Sequence, residues 1–384
     1  MSDDPIKVTR DGETIREIPV ERIALDYPSL SARAEACMGR TRNGDIWAAV
    51  GFNTGTYGSL EQTNRERLFH SADEGRTWTS NEMSPSGQAR MCAFTVLQDD
   101  TFLLAVCAFT GGARNRIDVF ASTDKGSTWE PAGHIAAAPY DEIGEGFLSM
   151  TQLADGTVLL PTNRWTGDDA GGELPAHSKE SVVYRSADGG RNWGDRSPTF
   201  DYIHEPHIVQ LASGKLLGAF RHQRVRLADD PPDVVEKWSA MSSEGVISNH
   251  GDTIFKHVFV GDSDDEGRTW KNLRPLLTRE GKPLLVFGET HGQLVQLPDG
   301  RVVLTHDRRY PYEGYETRAR VSHDEGRTWD PETCHVSYGA GYAASVALDD
   351  GTLVTVTGCT SFAPDSKPIG PWRAEAVRWR LPDG

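Results

Sequence analysis

The chain has 384 residues, of which 37% are hydrophobic and 25% charged, a composition that suits a soluble globular protein. A formal net charge of -16 argues against a surface that tracks nucleic-acid phosphates, although a local arginine cluster can still reverse the field inside one cleft. Five scattered cysteines without a CxxC pair exclude a zinc framework and a disulfide scaffold, and no apolar run approaches the length of a membrane span.

The N-terminal stretch "MSDDPIKVTRDGETIREIPV" has no apolar signal core, so a cytoplasmic location is expected. From Arg40 a unit recurs: an apolar residue, a tight Asp/Asn-Gly-type turn, then an apolar strand. It is written "RTRNGDIWAAV" (Arg40–Val50), "VLQDDTFLLAV" (Val96–Val106), "QLADGTVLLPT" (Gln152–Thr162), "QLASGKLLGAF" (Gln210–Phe220), "QLPDGRVVLTH" (Gln296–His306) and "ALDDGTLVTVT" (Ala347–Thr357). Asn-Gly and Asp-Gly between apolar runs are strong hairpin signals. In step with it runs an eight-letter box: "SADEGRTW" (Ser71–Trp78), "STDKGSTW" (Ser122–Trp129), "SADGGRNW" (Ser186–Trp193), "SDDEGRTW" (Ser263–Trp270) and "SHDEGRTW" (Ser322–Trp329).

These boxes stand 51, 64, 77 and 59 residues apart, a period that implies a propeller or solenoid. Six turn-strand units predict an all-β six-bladed propeller of four-stranded antiparallel blades, forming a single domain over residues 1–384. The longest gap between boxes predicts an insertion in blade four at about 224–256, with a short helix in Asp229–Met241. "AEAVRWRL" (Ala374–Leu381) reads as a last strand, and Glu13–Ile23 as the segment that closes the ring on that final blade. Within each box, Asp accepts backbone N–H bonds, Gly takes a positive φ and Trp packs between sheets, so the boxes are expected to be architecture.

With five such boxes, the chain resembles the sialidase (neuraminidase) superfamily, whose hallmark is the Asp box S-x-D-x-G-x-T-W repeated in a six-bladed propeller. The resemblance covers about Arg33 to Trp379 and implies the fold more specifically than the activity, because arabinan-cleaving hydrolases, some polysaccharide lyases and binding proteins share the box. It implies three arginines that clamp a substrate carboxylate, a tyrosine nucleophile activated by a glutamate, and an aspartate as acid/base. Guanidinium forks match a carboxylate bidentately, and a neutral nucleophile avoids repulsion with an anionic sugar.

By position, "HEPHIVQLASGKLLGAFRHQ" (His204–Gln223) offers Glu205 as the base and Arg221 as one arginine. "SYGAGYAASVALDDG" (Ser337–Gly351) offers Tyr342 as the nucleophile, with Tyr338 as competitor. Arg308 and Arg309 leave the fifth inner hairpin together, and strand alternation lets only one face inward; Arg309 is the slight favourite. Arg33 fits the first arginine, although Arg-Ala-Glu stands where the family writes Arg-Ile-Pro. The family's aspartate has no match: "GFNTGTYGSLEQTNRER" (Gly51–Arg67) holds no Asp, and Glu61 is the candidate acid.

Polar residues gather beside the other inner strands: Arg164, His207, His222, Glu289, His291, His306 and Asp307 are expected as substrate contacts. "HEPH" is not HExxH, and neither a metal nor another cofactor is expected. The leading expectation is an exo-glycosidase that hydrolyses a terminal acidic sugar such as sialic acid, with a carboxylate-bearing carbohydrate as partner and neither nucleic acid nor membrane. A polysaccharide lyase acting at a uronate, with His or Tyr as base, and a non-catalytic glycan-binding propeller are the alternatives.

Overall fold

The computed structural model describes residues 7–10, 13–25, 34–54, 63–83, 90–110, 113–144, 149–165, 179–225, 232, 254–284, 289–308, 316–339, 342–359 and 373–382. Six antiparallel sheets form the blades of a propeller. Blade one is Ala34–Arg40, Ile46–Thr54, Thr63–Ser71 and Thr79–Met83; blade two is Arg90–Val96, Phe102–Thr110, Ala113–Ser122 and Glu130–Ala136. In blade three the inner strand comes in two pieces, Glu142–Ile143 and Thr151–Gln152, followed by Val158–Trp165, Lys179–Ser186 and Gly194–Pro198. Blade four is Ile203–Gln210, Leu216–Val225, Ile254–Ser263 and Lys271–Pro275; blade five is Glu289–Gln296, Val302–Arg308, Glu316–Ser322 and Thr333–Tyr338. Blade six is Ala344–Ala347, Leu353–Cys359 and Arg373–Trp379, completed by Val20–Ala24 from the N-terminus.

Apolar rows alternate with period two along these strands and meet between neighbouring blades. Leu217, Ala219 and Val258 of blade four pack with Val302 and Leu304 of blade five, whereas Val303 and Ala319 of blade five pack with Leu353 and Val377 of blade six. Among the described residues, no helix is long and apolar enough to cross a membrane.

Two expectations are corrected. The ring-closing segment is split: Val20–Ala24 does pair antiparallel with Arg373–Trp379, but Glu13–Glu17 runs parallel to Thr333–Tyr338 of blade five. Blade four's strands also reach further than expected, because Arg224, Val225 and Ile254–Lys256 are paired. The connector is therefore 226–253, and the helix expected at 229–241 lies outside the described residues, apart from Pro232.

Each inner hairpin turns on a left-handed residue: Gly44, Asp100, Gly156, Gly214, Gly300 and Gly351, with φ between 68° and 93°. All five boxes lie in the turns between third and fourth strands, at this same end of the molecule. In the first, Ser71 donates to Asp73, Gly75 N–H bonds back to Ser71 Oγ at 2.8 Å, and Asp73 accepts from Thr77 N at 2.8 Å and Thr77 Oγ1 at 2.7 Å.

The box glycine is required twice over. At Gly126 φ is +80°, and an added Cβ would stand 2.3 Å from Leu68 Cδ2 of the preceding blade. Gly126→Ala is therefore expected to destabilise the fold by about 1–3 kcal/mol, read as a lower urea midpoint at unchanged slope.

Slight burial raises the Asp73 and Asp265 carboxyls, but hydrogen bonds from Thr77 and Ser71, and from Thr269 and Ser263, win and lower both from 3.8 to about 2. A carboxylate lowered on folding contributes stability that is complete above its unfolded value and is lost as pH falls through the folded one. The unfolding temperature is therefore expected to fall between about pH 4 and pH 2. An Asp73→Asn/Asp265→Asn variant should show a smaller fall there.

Candidate active site

The opposite end of the inner strands carries the polar residues. Tyr342 Oη donates to Glu205 Oε1 at 2.5 Å. The other carboxylate oxygen, Oε2, lies 2.5 Å from Arg221 Nη1 and 2.6 Å from His291 Nε2. His291 Nδ1 is 3.0 Å from Asp307 Oδ2 and 3.0 Å from Thr290 Oγ1, and its ring packs on Tyr342 with centroids 3.9 Å apart. Three blades thus meet at one carboxylate.

The backbone explains how. Glu205, His291 and Tyr342 have φ of 41°, 54° and 33°. Residues with a Cβ rarely enter that region, and each such residue costs about 1–3 kcal/mol. The ladder slips between His204 and His207 in blade four and between Thr290 and Gln293 in blade five. Such bulges re-aim a side chain. Tyr342 is held by its own carbonyl, which accepts Ala36 N–H of blade one at 3.1 Å. All three residues stand nine positions before the left-handed turn residue of their own hairpin, Gly214, Gly300 and Gly351. The same count reaches Glu35 in blade one, which is buried. That spacing was available in the sequence, and the expectations above did not use it.

Burial on its own raises the Glu205 carboxyl, but the Arg221 guanidinium, His291 and the Tyr342 hydroxyl outweigh it and hold Glu205 well below the ordinary range. Glu205 is therefore an ionised acceptor facing the phenol. A cavity opens at this cluster, lined from all six blades by Ala36, Phe94, Thr151, Glu205, His291 and Tyr342 among others.

The remaining expected residues fall in different places. His207 lines the cavity, accepts Leu294 N–H at 3.2 Å, and is lowered by burial to about 3, so it is neutral. Arg308 continues the row of Val302 and Leu304, and Arg221 the row of Leu217 and Ala219, so both enter the seam between blades four and five. His222 has the opposite parity to Arg221 and stacks on Phe259 with centroids 4.6 Å apart, away from the cavity. Arg164 pairs with Glu180 and lies 4.0 Å from the centroid of the Tyr140 ring, so it serves blade three and does not line the cavity. His306 is fully buried within blade five, and Asp307 is buried behind His291; neither lines the cavity as a substrate contact would. Tyr338 is exposed and packs on His335, which leaves Tyr342 at the cluster. Arg33, Glu61 and Arg309 lie outside the described residues, and so does the side chain of Glu289.

No family profile matches the chain. Among curated proteins it is 26% identical over 276 residues to the sialidase of Micromonospora viridifaciens; the match covers 67% of this chain and 39% of that protein. The chain therefore spans well under half the length of that relative. Among solved structures, Trypanosoma rangeli sialidase in complex with sialic acid superposes with a TM-score of 0.58 at 14% identity, over 94% of this chain and 59% of that one. The fold is the sialidase-type six-bladed propeller. An α-L-arabinofuranosidase of Fusarium graminearum shares it, with a TM-score of 0.63 at 14% identity over 94% of this chain and 97% of that one. One is a sialidase and the other an α-L-arabinofuranosidase, so the shared shape alone does not select a sugar.

Proposed function

We propose that the chain is an exo-acting glycoside hydrolase that releases a terminal sugar bearing a carboxylate, sialic acid or a relative of it. The observation that carries this reading is the 2.5 Å bond from Tyr342 Oη to a buried, ionised Glu205. Attack of Tyr342 Oη on the anomeric carbon passes its proton to Glu205 Oε1 as the bond to the leaving oxygen breaks. The leaving oxygen takes a proton from an acid, for which Glu61 is the first candidate and buried Glu35 the second. Water then displaces the sugar from Tyr342, passing a proton to the ionised acid and so restoring it, and Glu205 returns the proton to the phenol. Arg221 and Arg308, whose rows share the seam just behind the cavity lining, are the candidates for the substrate carboxylate, together with Arg33.

The first assay is release of 4-methylumbelliferone from its N-acetylneuraminic acid glycoside. Turnover supports the reading; no turnover on this or on other aryl glycosides of acidic sugars overturns it.

One observation favours elimination at a uronate as the second reading: a histidine ring lies 3.9 Å from the tyrosine ring. A lyase would give a product with the ultraviolet absorbance of a new double bond. Binding of acidic glycans without any product would instead identify a glycan-binding propeller.

A further inference from the structure

The cavity continues below the Tyr342–Glu205 pair, toward the box end of the molecule, and three polar side chains there have no task in the glycosidase reading. Ser149, His207 and Gln293 stand seven positions before Gly156, Gly214 and Gly300, the left-handed turns of blades three, four and five, and all three line the cavity. That is two residues below the rung of Glu205 and His291, or about 7 Å along a strand. The same count in blades six, one and two reaches Ala344, Cys37 and Ala93, which are small. One half of this rung is polar and the other half leaves room.

Each of the three makes the same bond to the next blade. Ile208 N–H donates to Ser149 Oγ at 3.0 Å, Leu294 N–H to His207 Nδ1 at 3.2 Å, and Ser345 N–H to Gln293 Oε1 at 2.6 Å. The acceptor of each side chain is thus occupied by a backbone donor, and a donor remains. A ring nitrogen that accepts carries no proton, so the His207 ring is neutral with its proton on Nε2, in keeping with a value lowered by burial to about 3. An amide whose oxygen is held keeps its NH2 group at the other end. The Ser149 hydroxyl proton, His207 Nε2–H and the Gln293 amide protons meet no acceptor among the described residues. Neither Nε2 is fully buried, so both donors open on the cavity that the two side chains line. The rung itself carries no charge: the Cys37 thiol is pushed by burial to about 12 and stays neutral, while Glu205 above is ionised. Neutral donors near a carboxylate suit an uncharged oxygen and disfavour an anion.

We propose that Ser149, His207 and Gln293 form a donor cradle beneath the nucleophile, which holds an uncharged oxygen of the bound sugar, a hydroxyl or an acyl carbonyl. This deepens the glycosidase reading of the cavity and rests on it. His207 is the specificity-determining residue of the three. Its tautomer is fixed by Leu294 N–H before a sugar arrives, so its donor needs no reorganisation on binding. A sugar with no acceptor at that place leaves the donors unpaired and binds less well.

Two variants pull the binding role and the structural role apart. His207→Asn keeps an acceptor near the Nδ1 position and loses the Nε2 donor. His207→Gln keeps a donor near the Nε2 position and loses the acceptor for Leu294 N–H. On the 4-methylumbelliferyl glycoside of N-acetylneuraminic acid, His207→Asn should raise KM about tenfold with kcat almost unchanged, and should keep the urea midpoint. His207→Gln should keep KM and lower the midpoint. An unchanged KM in His207→Asn overturns the proposal. So does an equal rise of KM in both variants, which is what a purely structural histidine gives. The glycoside of the deaminated sugar, with a hydroxyl in place of the acetamido group, identifies the oxygen: the His207→Asn penalty vanishes on it if the acyl carbonyl is held and persists if a hydroxyl is. A crystal of the unmodified chain soaked with N-acetylneuraminic acid needs neither a variant nor turnover. A sugar oxygen within about 3.2 Å of His207 Nε2 supports the cradle, even in a chain that cleaves no glycoside, a result that sinks the glycosidase reading alone. Water alone at Nε2, with or without sugar in the cavity, overturns the cradle and leaves turnover to decide the glycosidase reading.

Discussion

Tyr342→Phe is expected to lower kcat by about 10³-fold or more while the chain stays folded. The substitution keeps the ring that packs on His291 at 3.9 Å and removes only the hydroxyl that donates to Glu205 at 2.5 Å. A phenyl ring cannot form a bond to an anomeric carbon, so a nucleophilic tyrosine is irreplaceable in a way that a packing tyrosine is not. The lost hydrogen bond should cost only about 1–3 kcal/mol of stability, because Glu205 keeps Arg221 and His291 as partners. Turnover of an aryl glycoside and a thermal melt on the same sample separate the two effects. A rate within about tenfold of the unmodified chain would remove Tyr342 from the chemistry.

Glu205→Ala should damage both stability and activity. Glu205 is the group on which Arg221, His291 and Tyr342 converge. Its removal takes the buried carboxylate from the Arg221 guanidinium and the His291 ring, and breaking a buried pair from one side costs about 3–5 kcal/mol. Denaturant unfolding at neutral pH should show that loss. The difference between the two proteins should then shrink in acid. Glu205 is held well below its ordinary 4.5, so its contribution is complete above that value and fades as pH falls through the folded one. Glu205→Gln, which keeps the volume, should be inactive yet lose less stability; a stable, active alanine variant would contradict the whole arrangement.

The blades were legible because they repeat. Six hairpin turns and five boxes recur in register with the strands, and local turn chemistry sets both. Glu205, Arg221 and Tyr342 could be placed by their distance from those turns. What could not be read was the bulge. One extra residue in blade four and one in blade five turn Glu205 and His291 toward a common point, and nothing in "HEPH" or "ETHG" announces a left-handed Glu or His. The face of His222 was lost for the opposite reason. Simple alternation sends it away from the cavity, and a polar residue at a strand end looks the same whichever way it points. Arg164 reads as a substrate contact in sequence, but its partner Glu180 is supplied by the neighbouring strand.

The clasp made by the N-terminal strands has a kinetic consequence. Val20 pairs with Trp379, and Glu17 with His335, so the ring shuts only when segments more than 300 residues apart meet. Blades one to four are built from neighbouring hairpins and can form as the chain emerges. Blade six cannot, because its outermost strand was made first and must wait for the other three. The strand Val20–Ala24 is thus a latch that can engage only after Arg373–Trp379 has been made, at the outer edge of the blade whose inner strand follows Tyr342.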